Sequence, residues 1–155
     1  MDNYSLLELC LIELSSPNPW TRIQALMSCA KYNFTNPSIG QKVTELIQDK
    51  NEKVVYTAIY AAGELKVIGA TNALIECCKN KDISLRLSSA CALNRLIGVE
   101  SLLYLEDMLK DRDPWVAYSV AKIILTHDDQ NEEAKQTMRQ YYNHPKVVMH
   151  RETEE

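Results

Sequence analysis

A twelve-residue pattern of small and apolar residues recurs along this chain and constrains its fold more than any other feature. The stretch VVYTAIYAAGEL begins at Val54. LRLSSACALNRL begins thirty-one positions after it and VAYSVAKIILTH another thirty-one positions further on, while TRIQALMSCAKY begins thirty-three positions before Val54. Repeats with periods of about 20–50 residues are typical of stacked supersecondary units. The sequence therefore predicts four copies of one structural unit.

Each copy begins with a helix-capping residue. Asn or Asp stands at the equivalent position in all four copies: Asn18, Asn51, Asp82 and Asp113. In the first and last copies a proline follows, at the first helical position, where its missing N–H does no harm. The period and the helix-start signals agree.

Within each copy the pattern predicts a first helix rich in small residues and a second helix richer in Leu, Ile and Met. In copy two these helices are expected at about 52–65 and 70–80, and in copy three at about 83–96 and 100–110. The connections are short, which makes neighbouring helices antiparallel, and such a pair buries its apolar face only by stacking on the next pair. The predicted fold is all-α, an α-α superhelix or short solenoid of antiparallel helix pairs.

We expect a single domain over residues 1–142, with a leading helix at 4–14 and repeats at about 19–49, 51–80, 82–111 and 113–142. The tail, residues 143–155, combines a proline with mixed charge. Two alternatives are open for it: a mobile or weakly docked segment, or a cap on the last repeat.

Composition and charge exclude several function classes. The net charge of −4 offers no basic footprint for nucleic acid. No window approaches the roughly 18 apolar residues of a membrane span, and the N-terminal stretch lacks the features of a signal peptide. The five cysteines have neither disulfide nor zinc spacing. We expect a cytoplasmic protein that binds neither membrane nor nucleic acid.

The repeated pattern resembles the HEAT-like repeats of the kind found in phycobilisome lyases, V-[R]-x-x-A-A-x-A-L-G-x-L, over roughly residues 19–142. VVYTAIYAAGEL matches it at most positions; the family's arginine is kept as Arg22 and Arg86 but replaced by Val55 and Ala117. The resemblance implies a curved stack whose second helices line a concave, partner-binding side. Members of that family include adaptors, lyase-type chaperones and some enzymes, so the fold alone does not decide the function.

An acidic row is predicted along the second helices. Glu45, Glu76 and Asp107 occupy equivalent positions in three successive copies, and three residues further on stand Gln48, Lys79 and Lys110. These carboxylates could receive basic residues of a partner. Alternatively, Glu76 and Asp107 pair with the lysines of their own helices, as solvated helix faces commonly do.

An apolar pair is expected beside this row. Leu103 and Tyr104 lie there with Asn72, Ile75 and Glu106 on the same side, and exposed aromatic anchors often supply much of the binding energy. Two packing alternatives are open: Leu102 or Leu103 lies between units, and Tyr104 covers only its neighbour.

No catalytic or metal site is predicted. Adjacent Cys77 and Cys78 cannot readily form an unstrained disulfide and are expected in the core. The three histidines form no ligand pattern, and the helical serines have no base beside them. Trp20 and Trp115, at equivalent positions, are expected to staple adjacent units.

The sequence thus favours a non-catalytic interaction module or adaptor without a cofactor, whose partner is another protein with a basic or mixed segment. The predicted binding residues share the second-helix side: Glu45, Asn72, Ile75, Glu76, Leu103, Tyr104, Glu106 and Asp107. The alternative is a chaperone-like or lyase-type accessory protein for cofactor attachment, which rests on the resemblance alone.

Overall fold

The computed structural model describes residues 5–154, which are all-helical with no strand in that range. The α-helices are α1 (Leu6–Leu14), α2 (Pro19–Tyr32), α3 (Pro37–Leu46), α4 (Glu52–Glu64), α5 (Thr71–Cys77), α6 (Ile83–Ile97), α7 (Leu102–Leu105), α8 (Pro114–His127), α9 (Glu132–Tyr141) and α10 (Pro145–Glu154). The leading helix is predicted from Tyr4, which lies outside the described residues.

The capping residues act as the sequence predicts. The Trp20 N–H donates to Oδ1 of Asn18 at 2.9 Å, and the Trp115 N–H donates to Oδ1 of Asp113 at 3.0 Å. Asn51 and Asp82 accept backbone N–H groups of α4 and α6 in the same way. Each of these four helices therefore starts at a satisfied N-terminus.

The helices form two layers, as in a helical solenoid. The first helices α2, α4, α6 and α8 pack in succession in one layer. The second layer contains α3, α5, α7 with the 3₁₀ segment Glu106–Lys110, and α9. Helix α1 packs on α2 and α3, the position that a second helix of a preceding unit would take. One large apolar cluster runs between the layers.

Small residues allow the first helices to approach closely. A Cβ added to Gly63 of α4 would lie 3.1 Å from Ala92 Cα of α6, nearer than ordinary packing allows. Ala58, Ala61 and Ala62 of α4 are fully buried around this contact. The small-residue pattern that defines the repeat is therefore the seam along which α4 and α6 meet.

The second helices of copies two and three are less regular than predicted. The second helix of copy two starts with a 3₁₀ turn, Ile68–Ala70, before the short α5. In copy three, 3₁₀ segments Gly98–Ser101 and Glu106–Lys110 flank the four residues of α7. Neither Ala70 nor Ser101 provides a side-chain cap for the α-helix that follows it. Without a cap, tighter 3₁₀ hydrogen bonding satisfies the helix ends.

Two buried arginines connect the loops between units. Arg86 donates from Nε and from Nη2 to the Asp111 carboxylate, each at 2.7 Å, and from Nη1 to the carbonyls of Asn80 and Lys81. Arg22 makes the equivalent contact with Asp49. This arginine–aspartate contact is thus present in copies one and three, while Val55 and Ala117 are buried at the equivalent positions of the other two.

The described residues of the tail form α10 from Pro145 to Glu154, and this helix packs on α8. Val147 is fully buried against Trp115 and Tyr118, and the His150 ring stacks on the Trp115 ring with centroids 4.7 Å apart. Lys146 Nζ donates to the buried Asp113 carboxylate. In the structure this segment is thus a helix that contacts α8 through both apolar and charged side chains.

Helix α10 also continues the repeat in sequence. Pro145 follows Pro114 by the thirty-one residues that separate the preceding copies, and Val147 follows the buried Val116 by the same interval. The Lys146 N–H donates to Nδ1 of His144 at 3.3 Å, so a histidine stands at the capping position. Helix α10 therefore takes the place of a first helix in a fifth unit.

The buried arginine contact leads to a stability prediction. Asp111→Ala leaves the Arg86 guanidinium buried without its carboxylate, which should lower the free energy of unfolding by about 3–5 kcal/mol. Denaturant unfolding followed by circular dichroism measures the loss. The matched control is Glu76→Ala, which removes a solvent-exposed pair and should cost less than about 1 kcal/mol. Equal losses in the two variants would contradict this account.

Docking of α10 can be followed through Trp115, whose exposed fraction is 8%. In a Trp20→Phe background Trp115 is the remaining tryptophan, and Val147→Asp should move its emission to longer wavelength because a buried charge expels the helix. Met149→Asp is the control: Met149 on α10 is 56% exposed, so this change should leave the emission unchanged. An unshifted spectrum in the Val147 variant would show that α10 is not held by this contact.

Acid should release α10 as well. Burial raises the pKa of the Asp113 carboxyl, but hydrogen bonds from Lys146 and from the N–H groups of Val116 and Trp115 outweigh it, so the pKa is lowered overall. This carboxylate therefore stabilises the docked state above the unfolded value of about 3.9, and the contribution is lost as the pH falls through the lower folded pKa.

Trp115 emission, recorded against pH in the Trp20→Phe background, should report this release below about pH 4. Lys146→Met removes the charge partner and should make the acid transition of α10 shallower. Superimposable acid profiles for the two proteins would rule out the Asp113 contact as the cause.

Candidate functional site

The eight predicted binding residues lie along the second helices, on the side that we call the second-helix face. Glu45 is on α3; Asn72, Ile75 and Glu76 are on α5; Leu103 and Tyr104 are on α7; Glu106 and Asp107 belong to the 3₁₀ segment that follows. All except Ile75 are exposed, and Ile75 packs against the main core.

Three neighbouring clefts open on this side of the molecule. The loop cleft, about 570 Å³, lies between α3 and the turn at 65–69. The middle cleft, about 580 Å³, lies between α3 and α5 and shares Thr44 and Gly69 with the loop cleft. The tyrosine cleft, about 710 Å³, shares Lys66 and Ile68 with the loop cleft. The shared residues make the three clefts adjacent across three units, and we call the three together the groove.

The groove brings together five of the eight predicted residues. Glu45 lines the loop cleft, and Asn72 and Glu76 line the middle cleft. Leu103 and Tyr104 line the tyrosine cleft. Ile75, Glu106 and Asp107 line none of these three clefts.

The acidic row is neutralised only in part by its own helices. Glu45 accepts from Lys42 Nζ and from Gln41 Nε2, each at 3.0 Å, and these hydrogen bonds lower the pKa of its carboxyl. Glu76 accepts from Lys79 Nζ of its own helical segment at 2.9 Å. Both pairs are exposed to solvent, where such contacts are worth about 0–1 kcal/mol.

The row ends differently at Asp107. Lys110 pairs at 3.1 Å with Glu133 of α9 rather than with Asp107. Over the described range 5–154, no ion pair engages Asp107, Glu106 or the nearby Glu100. This end of the second-helix face therefore carries uncompensated negative charge.

Leu103 and Tyr104 lie between Glu100 and Glu106 along the chain. Leu103 is 79% exposed and Tyr104 is 40% exposed, whereas Leu102 packs against the core. Leu102 is therefore the leucine that lies inside the stack. A large apolar side chain this exposed, next to an aromatic ring, is the arrangement found at interaction surfaces.

Sequence reasoning misses the apolar side chains of the turns. Phe34 and Val67, which line the loop cleft, follow Asn33 and Lys66, whose φ angles are 52° and 50°. In both turns the next N–H reaches back into the preceding helix, from Phe34 to the Cys29 carbonyl and from Val67 to the Ala62 carbonyl, each at 3.0 Å. This is the Schellman C-cap.

A signal for these residues is present in the sequence. The turn KVIGA carries an apolar pair, Val67 and Ile68, at a surface position, and the loop YNFTNPSIG is two residues longer than its counterparts in copies two and three. The longer loop supplies Phe34, Thr35, Asn36 and Pro37 to the wall of the loop cleft.

Among the described residues, the cysteines and histidines show no reactive arrangement, although Cys77 lines the middle cleft. Burial raises the pKa of Cys78 to about 12 and raises that of Cys77, so both are thiols near neutral pH. His127 Nε2 lies 2.6 Å from Asn94 Oδ1. The part of the chain that the structure describes contains no group of three or more His, Cys, Asp or Glu that could hold a metal ion.

The two tryptophans each contact the following unit. The Lys53 ammonium of α4 lies 5.4 Å from the centre of the Trp20 ring, and His150 of α10 stacks on Trp115. Trp20 stays 60% exposed, while Trp115 is buried. These contacts are those of a staple between adjacent units.

Comparison with known proteins identifies the repeat. No curated protein matches the chain. Among residues 5–154 no helix is both long and apolar enough to cross a membrane. A family model described as HEAT repeats matches residues 7–94, more than half of the 155 residues. With its two-layered stack of capped helix pairs, the chain belongs to the HEAT-repeat family, whose members are generally non-catalytic and commonly bind proteins.

Proposed function

We propose that this protein is a non-catalytic adaptor that binds a basic or mixed-charge segment of another protein on its second-helix face. The binding residues in this proposal are Glu45, Asn72, Ile75, Glu76, Leu103, Tyr104, Glu106 and Asp107. We infer a cytoplasmic setting, since Cys10, Cys29 and Cys78 are buried free thiols.

The exposed Leu103 and Tyr104 beside unpaired carboxylates are the observation that carries the proposal. A protein gains little from leaving a large apolar residue almost wholly in water, whereas a partner that covers it gains roughly 25 cal/mol per Å² of apolar area. Asp107 and Glu106 next to this pair favour a partner whose apolar residue is flanked by Lys or Arg.

The remaining acids extend the same surface at little cost. Glu45 and Glu76 are already paired, but exposed i,i+3 pairs are weak. A basic partner residue can replace Lys42 or Lys79 with a small change in free energy. The row therefore supports selectivity for charge, and the apolar pair supplies most of the affinity.

The size of the loop cleft supports a second candidate role, that of an accessory protein for cofactor attachment. At about 570 Å³ it falls in the range of small-molecule pockets, about 300–1,000 Å³. A lyase-type accessory protein of the phycobilisome kind would hold a bilin or haem there. Titration with either compound should then change its absorption spectrum, and an unchanged spectrum counts against this role.

The adaptor proposal predicts the behaviour of a surface variant. A partner captured by affinity purification and then purified should bind the Leu103→Ala, Tyr104→Ala double variant at least about tenfold more weakly by isothermal titration calorimetry. Circular dichroism should show unchanged stability, since both side chains are exposed. Met149→Ala, which removes an exposed apolar side chain on α10, is the control and should retain affinity.

Charge reversal tests the electrostatic part separately. Glu76→Lys with Asp107→Lys should slow association with the same partner, and the difference should shrink as salt is added. Affinity that is unchanged in both the apolar and the charge-reversed variant would exclude the second-helix face as the binding surface.

A further inference from the structure

We propose that the loop cleft is the anchor site for the partner segment: it takes one large apolar side chain, with a basic neighbour directed to Glu45 and an acidic neighbour directed to Lys66. The inference rests on the proposed adaptor function and adds the chemistry that the partner must present. The other occupants, a second copy of the chain or a free small molecule, are outcomes of the test.

The walls of the loop cleft are suited to an apolar guest. Phe34, Pro37, Leu65, Val67 and Ile68 all line it. Ile68 is 63% exposed, although Leu65 below it is buried. A bulky aliphatic or aromatic side chain would remove apolar surface from water on several sides at once, which is how buried anchors stabilise interfaces.

The shape of the cleft is set by the backbone and does not depend on a guest. Two Schellman motifs, at Asn33 and Lys66, orient Phe34 and Val67 toward the same space. Pro37 begins α3, where Asn36 Oδ1 accepts the Ser38 N–H at 2.8 Å. Since these turns are hydrogen-bonded in the free protein, little ordering is required when a segment binds.

Two glycines line the loop cleft, at positions where an added Cβ would make only ordinary contacts. A Cβ at Gly40 would meet Val67 Cγ1 at 3.4 Å, and a Cβ at Gly69 would meet Thr44 Oγ1 at 4.0 Å. Neither glycine has a positive φ angle. Gly69 can therefore carry a side chain without backbone strain, and a large one would occupy the junction of the loop and middle clefts.

The loop cleft is lined by one acidic and one basic side chain, Glu45 and Lys66. Glu45 lies on the α3 side, and hydrogen bonds from Lys42 and Gln41 lower the pKa of its carboxyl and keep it ionised at neutral pH. Lys66 lies on the opposite side, and no ion pair engages it within the described range. An apolar residue between a base and an acid complements this pattern, and a uniformly basic or acidic segment does not.

The anchor site is continuous with the surface that the adaptor proposal uses. Lys66 and Ile68 line both the loop cleft and the tyrosine cleft, where Leu103 and Tyr104 stand. One extended segment can therefore place its anchor in the loop cleft and continue over Tyr104. This shared wall distinguishes the loop cleft from an unrelated small-molecule pocket.

The test uses four labelled probe peptides and the full chain. The first is acetyl-Gly-Lys-Gly-Phe-Gly-Glu-Gly-amide; the others replace Phe by Ala, Glu by Lys, or Lys by Glu. Amide chemical shifts and fluorescence anisotropy report binding. We expect the first peptide to shift Gly40, Val67 and Gly69, and the Ala peptide to bind about tenfold more weakly. Failure of all four to shift these residues overturns the proposal.

Matched variants locate the contact. Gly69→Leu should abolish binding of the first peptide by filling the cleft, whereas Gly69→Ala should retain it. Glu45→Lys should exchange the preference, with the peptide that carries two glutamates binding best. Glu132→Lys is the control, because Glu132 forms the same exposed i,i+3 pair with Lys135, at 2.9 Å, on α9. An unchanged preference in Glu45→Lys overturns the proposal.

The outcomes separate the two proposals. The anchor site is disproved, and the adaptor function is not, if the Gly69→Leu variant retains its affinity for probe and partner while the Leu103→Ala, Tyr104→Ala variant loses the partner. If both variants still bind the partner, both proposals are disproved. Self-association that Gly69→Leu abolishes, seen by analytical ultracentrifugation without any peptide binding, would assign the cleft to a second copy and also overturn the proposal.

Discussion

The close contact between α4 and α6 is the constraint on which the rest of the structure depends. Gly63 meets Ala92 so closely that an added Cβ would lie only 3.1 Å from the Ala92 Cα, and Ala58, Ala61 and Ala62 of α4 are fully buried. Because the first helices approach this closely, the second helices are held side by side above them. The clefts are the spaces that remain between those second helices and the turns that lead into them.

The loops between units use two physical solutions in alternation. In copies one and three a buried arginine satisfies the carbonyls of the loop before it and the aspartate of the loop after it. In copies two and four, Val55 and Ala117 pack there instead. The two solutions can be exchanged because replacing a buried ion pair by an apolar residue of fitting size is often neutral for stability.

Much of the fold could be predicted from the sequence because its determinants are local. A capping residue followed by a small-residue helix is readable at each of Asn18, Asn51, Asp82 and Asp113, and all four caps form. The start of α10 could also be predicted, since Pro145 lies one repeat period of thirty-one residues after Pro114. It is hard to recognise because a histidine stands where the other copies have Asn or Asp, and because α10 is polar along most of its length.

The candidate site was only partly predictable, because helical periodicity describes helices and the site lies largely at their ends. Leu103 and Tyr104 follow the helical spacing and are exposed, as a binding pair must be. Phe34 and Val67 are directed by left-handed residues, Asn33 and Lys66, whose conformation depends on C-capping that a period does not reveal. A lysine in this conformation is uncommon, so composition gives little warning of it.

The structure divides its polar interactions between two tasks. Pairs that hold the stack together, Arg22 with Asp49 and Arg86 with Asp111, are buried and fixed by several hydrogen bonds. Pairs on the second-helix face are short-range, exposed and weak. A partner can therefore exchange the surface pairs without disturbing the scaffold. This separation lets such a repeat keep its fold while the chemistry of its second helices and turns changes.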